Sequence, residues 1–487
     1  MPSFALLSLL RLSLLAALLT ACASPGERAA AARRHDPASL DAGQAIRDSA
    51  RHAAASNTAT AAWPSQAWWQ ALHDPQLDRL IAAALDGNPT LKASAARVRQ
   101  ADAIAGLADA ATGPRADASA SIDRERYSAH GTAPAALAGR YAWRNTATVS
   151  ASYDLDLWGR NRAALAAALG DVQVASAEAR MVALALQSAV AHRYIELAQA
   201  WTAHDHASAG VAERERMLEI LRRRHAAGLA TAIDVAAFET TLPAGRREQE
   251  QAHAAIAQLR NALAALIGKG PGDGESIARP LLTALLIDNG TPASVLPSAL
   301  PAELLGRRPD VAAQRWRIEA ATRRVDVATA EFYPNVNLAA FAGFQALGFG
   351  HFLGAGSAVR GVAPAVSLPI FDGGRLRSQL GGQEALLDGA IEQYNATVVQ
   401  ALADVADAVD TARSVQEQQR LAGQALAAAE RAHGLALKAY RAGFGDALAV
   451  NAAQLLVLDE RWQLAQAGAR GQHNYVALMA ALGGGVL

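Results

Sequence analysis

The chain has 487 residues with 45 basic and 45 acidic side chains, so its formal net charge is zero. A nucleic-acid-binding protein is expected to be basic, and this balance therefore argues against nucleic acid as a partner. Hydrophobic residues make up 52% of the chain but aromatic residues only 5%, a composition that favours closely packed helices over a core of large side chains.

The N-terminal segment that ends at Cys22 resembles the leader of a bacterial lipoprotein. The apolar run 12–19 is too short to span a bilayer, as in a signal peptide. It leads into Leu19-Thr20-Ala21-Cys22, which resembles the lipobox whose cysteine becomes the acylated first residue. The resemblance implies a signal peptide over 1–21 and lipid on Cys22; the alternative is an ordinary small cysteine in a leader. Because Cys22 is the single cysteine, no intrachain disulfide can form.

The residue after the lipobox bears on location. Ala23 stands where many lipoproteins retained at the inner membrane have aspartate, so the resemblance implies the outer membrane. No later run of 18 or more apolar residues occurs, and no membrane-spanning helix is therefore expected.

The remainder of the chain contains two copies of one unit. Glycines recur at one constant offset in sequence number, in the pairs Gly159 and Gly374, Gly228 and Gly443, and Gly268 and Gly483. Upstream, Pro89 and Pro309 form a further pair at a slightly larger offset. A constant offset over so long a stretch indicates duplication. We interpret 88–268 and 308–483 as the two copies, with 22–87 before the first and 269–307 connecting them.

Each copy is predicted to begin with a helix and two strands. Proline near the helix start, where its missing N–H costs nothing, bounds first helices over 88–112 and 308–332. Alternating apolar and polar residues, the signature of half-buried strands, then follow. The predicted strands are 115–123 and 146–157 in the first copy and 336–344 and 362–370 in the second. In 146–157 one face carries Ala147, Val149, Ala151, Tyr153, Leu155 and Leu157.

This alternation also occurs in membrane β-barrels, with lipid on one side and water on the other. By itself it leaves a soluble two-stranded ribbon open. Four strands per chain cannot close a barrel, and open sheet edges do not survive in lipid. Closure therefore requires other chains, and three chains supply about twelve strands.

A long helical hairpin completes each copy. The stretches 159–227 and 374–442 lack proline and are rich in helix formers. At 1.5 Å per residue each would be about 100 Å long, which indicates coiled coils or tubes. Gly228 and Gly443 are predicted to end these helices in left-handed geometry. The returning helices are predicted at 232–267 and 447–482. Pro243 and Gly245 interrupt the first alone, so the two hairpins are expected to differ in straightness.

Several short motifs, in this order and spacing, resemble the TolC-like outer-membrane factor family of tripartite efflux pumps, most of all its NodT-like lipoprotein branch. They are the lipobox, Trp68-Trp69, Asp74-Pro75-Gln76-Leu77-Asp78, Arg308-Pro309-Asp310, Phe332-Tyr333-Pro334, Phe371-Asp372-Gly373-Gly374 and Tyr440-Arg441-Ala442-Gly443. The resemblance implies a mixed α and β membrane protein. In it a homotrimer forms a long coiled-coil α-helical barrel and a 12-stranded β-barrel in the outer membrane. Residues 24–87 and 269–307 would form a belt around the helices.

The resemblance also implies function. The trimer would export drugs or other small molecules passively from periplasm to exterior, driven by an inner-membrane transporter of RND type through a periplasmic adaptor. Gly228 and Gly443, with Tyr440 and Arg441, would dock the adaptor.

Gate residues are implied just beyond these tips. The candidates are Leu448, Ile233, Asp446 and Asp234. The acidic gate position of the family falls on Ala452, so this chain departs from the family pattern there. Asp446 and Asp234 either replace it or are solvated helix-end aspartates.

Few features suggest an enzyme. The sequence shows neither a phosphate-loop pattern nor a serine nucleophile elbow, and no cofactor is expected. The stretch His204-Asp205-His206 might suggest a metal site. Alternate residues on a helix point about 200° apart, so both histidines cannot easily reach one ion, and we expect no metal there. Two alternatives stay open: a lipid-anchored periplasmic coiled-coil scaffold without a pore, and a lipoprotein enzyme whose site the sequence does not reveal.

Overall fold

The computed structural model of the chain describes residues 31–35, 64–132, 134–282 and 306–485. The predicted signal peptide and the lipidation site Cys22 lie outside the described residues, as does 283–305 of the predicted connector.

The described residues form long helices and four strands. In chain order the helices of eight or more residues are α1 (Pro75–Gly87), α2 (Pro89–Ala110), α3 (Arg160–Ala226), α4 (Ala232–Glu239), α5 (Thr241–Leu266), α6 (Pro309–Ala330), α7 (Arg375–Arg441) and α8 (Ala447–Ala481). The strands are β1 (Arg115–Arg126), β2 (Tyr141–Asp154), β3 (Asn335–Leu347) and β4 (Ala358–Ser367).

The predicted duplication is present in the structure. The helices α2 and α6 both have 22 residues, and both begin with proline. The helices α3 and α7 both have 67 residues, and their first residues are separated by the same offset as the matched glycines. All four ends of these long helices lie within one residue of the predicted ends. The repeated prolines and glycines of the sequence therefore mark real element boundaries.

The strands form one antiparallel sheet in the order β1-β2-β3-β4. Each copy contributes one β-hairpin, β1 with β2 in the first copy and β3 with β4 in the second. The pairing of β2 with β3 joins the copies. The outer strands β1 and β4 are the edges of the sheet.

Two strands end earlier than predicted. The strand β2 stops at Asp154 rather than at 157 because Asp156 adopts a left-handed conformation, with φ of 42°. The Asp156 carboxylate accepts the backbone N–H groups of Asn161 and Arg162 and so fixes the start of α3. The strand β4 stops at Ser367, ahead of Pro369, which has no N–H to donate to a ladder.

The described residues divide into two compact units. One includes Arg97–Ala175 and Gln314–Tyr394 and holds the sheet. Its buried cluster comprises Val325, Ala328, Phe332, Leu376 and Leu380. The other includes His35 and, of the described residues, 64–96, 176–282, 306–313 and 395–485, and it holds both hairpin tips.

The Asp74-Pro75 motif before α1 has a structural role in this second unit. Asp74 caps α1 by accepting the backbone N–H of Gln76, and Pro75 occupies the first turn. The hydroxyl of Tyr194, a buried residue of α3, donates to Asp74 Oδ2 over 2.8 Å. Burial is the main cause that raises the pKa of Tyr194 far above its ordinary range. This network fastens α1 to α3.

One helix departs from the expectation for membrane spans. The helix α3 contains an 18-residue window with a mean hydropathy of 1.2, and by length and composition alone it could cross a membrane. The prediction relied on uninterrupted apolar runs, whereas this window reaches its mean hydropathy with at most two charged residues.

Candidate functional site

The sheet has one apolar face, built by all four strands. Residues directly opposite each other in paired strands project to the same side. The registers of the three strand pairs therefore gather one set of small and apolar residues. This apolar face carries Ala116, Ala118, Ala120 and Ile122; Ala147, Val149, Ala151 and Tyr153; Val336, Leu338, Ala340, Ala342 and Phe344; and Val362, Pro364 and Val366. The predicted alternation is thus confirmed within the observed strands.

The opposite face is polar along β1 and β2. Ser119 and Thr148 hydroxyls lie 3.1 Å apart, and Arg144 lies 3.6 Å from both Asp123 and Glu125. An antiparallel sheet with one apolar and one polar face is suited to separate lipid from water. Its edges, β1 and β4, still present unpaired backbone groups that lipid cannot satisfy.

The first hairpin tip is a glycine turn that closes α3. Gly228 has φ of +72°. Its N–H donates to the carbonyl of His225 over 2.9 Å, and the N–H of Leu229 donates to the carbonyl of Arg224 over 2.8 Å. This pair of bonds is a Schellman motif, which satisfies the last carbonyls of the helix.

The second tip repeats these bonds at the matched positions of the other copy. Gly443 has φ of +78°, and its N–H donates to the carbonyl of Tyr440 over 3.0 Å. The N–H of Phe444 donates to the carbonyl of Ala439 over 2.9 Å. The predicted left-handed glycine turns are therefore confirmed in both copies.

The two aspartates near the tips cap helices. Asp234 forms a capping box with Thr231 at the start of α4, and the side-chain hydrogen bond from Thr231 lowers the pKa of Asp234. Asp446 caps α8 by accepting the backbone N–H of Leu448. That bond, followed by Arg224 at the end of α3, lowers the pKa of Asp446. This matches the interpretation as helix-end aspartates, while a gate role stays a prediction.

The remaining predicted tip residues differ in exposure. Tyr440 and Arg441 are exposed, Ile233 is 79% exposed, and Leu448 is half-buried. Sequence reasoning missed two further apolar side chains, Leu229 and Phe444, which are 70% and 90% exposed. The sequence signal that could have identified them is their position directly after the matched glycines. Together these residues give both tips an apolar surface.

The Arg308-Pro309-Asp310 motif holds helices of the second unit together. Arg308 is 8% exposed and donates to Asp310 over 2.7 Å, to Asp404 over 3.0 Å and to the carbonyl of Ala481 over 3.0 Å. Burial lowers the pKa of Arg308, but these two carboxylates outweigh it and raise the pKa overall. The guanidinium lines an open cavity of about 830 Å³ and ties α6 to α7 and to the end of α8.

The residues of His204-Asp205-His206 each have a separate neighbour. His204 packs edge-on against Trp201, Asp205 pairs with Arg279, and His206 stacks on Trp462. Within the part of the chain that the structure describes, no group of three or more histidine, cysteine or acidic residues is placed to hold a metal ion.

Comparison with known proteins identifies the family. The model described as "Outer membrane efflux protein" matches residues 80–269 and 300–484, one match for each copy. The chain belongs to the outer membrane efflux protein family. The family assignment made from the motifs is confirmed, as are outer-membrane location and the mixed, duplicated α and β fold. The lipoprotein branch and the lipid on Cys22 stay predictions.

Relatives of this efflux protein cover most of its length. It is 40% identical over 375 residues to the fusaric acid resistance protein FusA of Burkholderia cepacia, covering 76% of this chain and 67% of FusA. It is 33% identical over 454 residues to the multidrug resistance outer membrane protein MdtP of Escherichia coli K12, covering 88% of each. The crystal structure of the outer membrane protein VceC of Vibrio cholerae matches with a TM-score of 0.79 and 35% identity, covering 87% of this chain and 100% of VceC.

Proposed function

We propose that this efflux protein is the outer-membrane channel of a tripartite efflux system and passes drugs or other small molecules from periplasm to exterior. The observation that carries the proposal is the open amphipathic sheet in a chain of this family. The names of the relatives, multidrug and fusaric acid resistance proteins, support small organic molecules as cargo.

The sheet supports a homotrimer. Its two free edges require strand partners in lipid, and another copy of the chain supplies β4 for β1. Three copies give a closed barrel of about twelve strands, within the usual range of membrane barrels. The apolar face then contacts lipid and the polar face lines a water-filled duct.

The tips support docking of a periplasmic adaptor. A trimer presents the first and second tips three times each, and the exposed Leu229 and Phe444 offer an apolar surface for the partner. An inner-membrane pump of RND type supplies the energy, so the duct itself carries out no chemistry. Acylation of Cys22 would add an anchor to the barrel.

A matched pair of substitutions on β2 tests the proposal. Val149 lies on the apolar face and Thr148 beside it on the polar face. Val149→Asp should abolish the heat-resistant trimer in outer-membrane fractions, because it places a carboxylate in lipid. Thr148→Asp should retain the trimer.

Export is measured in the same strains. Cells lacking the gene should retain a fluorescent efflux dye, the wild-type chain and Thr148→Asp should restore its export, and Val149→Asp should not. A monomeric protein in the periplasmic fraction, with unchanged dye export on deletion, would instead support the scaffold without a pore.

A further inference from the structure

Charges on the sheet are sorted between its two faces. By register, every acidic residue of the strands lies on the polar face: Asp117, Asp123, Glu125 and Asp154. Each has an arginine on or beside that face as its ion-pair partner, namely Arg115, Arg144, Arg144 and Arg160. The apolar face instead carries arginines: Arg124, Arg126 and Arg360.

Each of these three arginines lies near the loop end of its own strand. Arg124 and Arg126 lie at the very end of β1, where the chain enters the loop 127–140. Arg360 is the third residue of β4, just after the loop 348–357. The other ends of the strands lead into helices, so in the proposed channel the loop ends are the external ends. All three cations therefore lie at the outer rim of the lipid-facing surface.

The surroundings of Arg124 are those of a membrane interface. Its guanidinium lies 5.6 Å from the ring centroids of both Tyr141 and Trp143. Trp143 in turn packs against Phe349, with 5.7 Å between centroids. Aromatic girdles mark the boundary between hydrocarbon and headgroups. An arginine stacked on aromatic rings keeps its N–H donors free at the edge of the plane, where they can bind a phosphate.

We propose that Arg124 and Arg126 of one subunit and Arg360 of its neighbour bind the phosphate groups of outer-leaflet lipids at each subunit boundary. The site rests on the proposed function, since the trimer places edge strand β4 of one chain beside β1 of the next. Three arginines around one phosphate satisfy its oxygens by charge-assisted hydrogen bonds. Three such sites surround the trimer.

The chemistry of the face selects a lipid. A free phosphate would gain only the arginines and would leave the adjacent apolar surface in water. A soluble acidic protein would face the same mismatch with Val362, Ile122 and their neighbours. A phosphorylated glycolipid or phospholipid supplies anionic oxygens at the rim and acyl chains along the apolar face below it.

The experiment offers lipids to the purified full-length trimer in detergent and measures retained copies by native mass spectrometry. The probes are bis-phosphorylated lipid A and the same lipid A with both phosphates removed. The wild-type trimer should retain the phosphorylated form strongly and the other form weakly. In Arg124→Gln/Arg126→Gln/Arg360→Gln, retention of the phosphorylated form should fall roughly 100-fold, since each arginine contributes roughly fivefold at an anionic lipid surface. Arg144→Gln, from the polar face, should bind as the wild type does.

Equal retention of the two lipids by the wild-type trimer would overturn the proposal without reliance on any variant. So would displacement of lipid A by an equimolar amount of inorganic phosphate, which would indicate a site for free anions. Loss of binding in Arg144→Gln as large as in the triple variant would also overturn it. If the trimer mass is missing before lipid is added, the proposed channel fails; if the trimer is present and does not discriminate, only the lipid site fails.

Discussion

At the first tip the returning chain forms α4, stops at Thr240 and resumes as α5, whereas at the second tip α8 runs unbroken from Ala447 to Ala481. The break lies just before Pro243 and places this proline in the first turn of α5. There its missing N–H is not required, whereas a continuous helix would need that N–H at position 243. The second copy has Leu458 at the matched position.

The turns themselves also differ in sequence, and one of these differences affects their backbone packing. Gly445 of the second tip corresponds to Ala230 of the first. A Cβ built on Gly445 would lie 2.7 Å from the backbone nitrogen of Tyr440, so the second turn is the tighter one. Duplication therefore preserved the Schellman turn, while single residues around it changed the path of the returning chain.

The largest effect is expected from moving the proline to the other copy. Leu458→Pro places proline in the interior of α8, which removes a hydrogen bond and costs about 3 kcal/mol or more. The midpoint of thermal unfolding, followed by helical circular dichroism, should fall clearly. Pro243→Leu is the matched control and should leave the midpoint unchanged or raise it. Equal midpoints for Leu458→Pro and the wild type would show that the break is not caused by proline.

The second prediction concerns the tighter turn. Gly445→Ala forces the backbone of Tyr440 to move, and overpacking of this kind costs about 1–3 kcal/mol. Ala230→Gly, its counterpart, removes no such restriction and should change little. Protease cleavage at the tip reports local opening, and it should accelerate in Gly445→Ala alone. Equal acceleration in both variants would contradict the difference between the turns.

The third prediction concerns Gly228 and Gly443, the left-handed glycines that both tips share. A Cβ at Gly228 or Gly443 meets nothing within 4 Å, so the cost is the left-handed conformation alone, about 1–2 kcal/mol. Substitution should leave the trimer intact. Gly443→Trp should nevertheless abolish export and cross-linking to the adaptor, because the bulky side chain lies where the partner docks. Loss of the trimer would instead make the glycine a folding element, and normal export would remove it from the docking surface.

The fourth prediction concerns a histidine pair that joins the two copies and has no counterpart at the matched positions. His192 of α3 and His473 of α8 have their Nδ1 atoms 2.8 Å apart and their rings stacked, and the matched positions in the duplicate are Asp407 and Gln258. Burial lowers the pKa of both histidines.

The lowered pKa of the two histidines sets the direction in which stability changes with pH. Below the unfolded value of about 6.5 the unfolded chain binds more protons than the folded chain, so stability should fall as the pH drops through this range. Near this contact Glu196 favours protonation of His192, whereas Arg193 opposes it. Unfolding midpoints between pH 7.5 and 5 should therefore decline, and His473→Gln should flatten part of the decline. An identical pH profile in His473→Gln would exclude the pair as its source.

Local signals were sufficient to predict most of the elements. Prolines and glycines have fixed conformational preferences, so Pro89, Pro309, Gly228 and Gly443 placed helix ends to within a few residues. Alternation likewise identified the apolar face, because side-chain direction in a strand has a period of two. The early end of β2 was missed because it depends on the carboxylate of Asp156 reaching residues ahead in α3.

Contacts between distant segments were beyond such reasoning. The pairing of β2 with β3 and the ion pair of Arg224 with Asp446 join residues that are far apart in the sequence, and no spacing rule predicts them. The sorting of arginines and carboxylates between the two faces became visible once the register was known. The exposed Leu229 and Phe444 needed the turn geometry to be recognised as tip residues.

The most direct test of the channel is the accessibility of β2 to water in the assembled trimer. Single cysteines are introduced at Ala147, Val149, Ala151 and Tyr153 on the apolar face and at Thr148, Ser150 and Ser152 on the polar face, in a chain whose sole native cysteine is Cys22. In intact outer membranes a membrane-impermeant thiol reagent should label the second set and spare the first, because lipid covers one face and water fills the duct on the other. Uniform labelling along the strand, or labelling of the apolar set alone, would contradict the account.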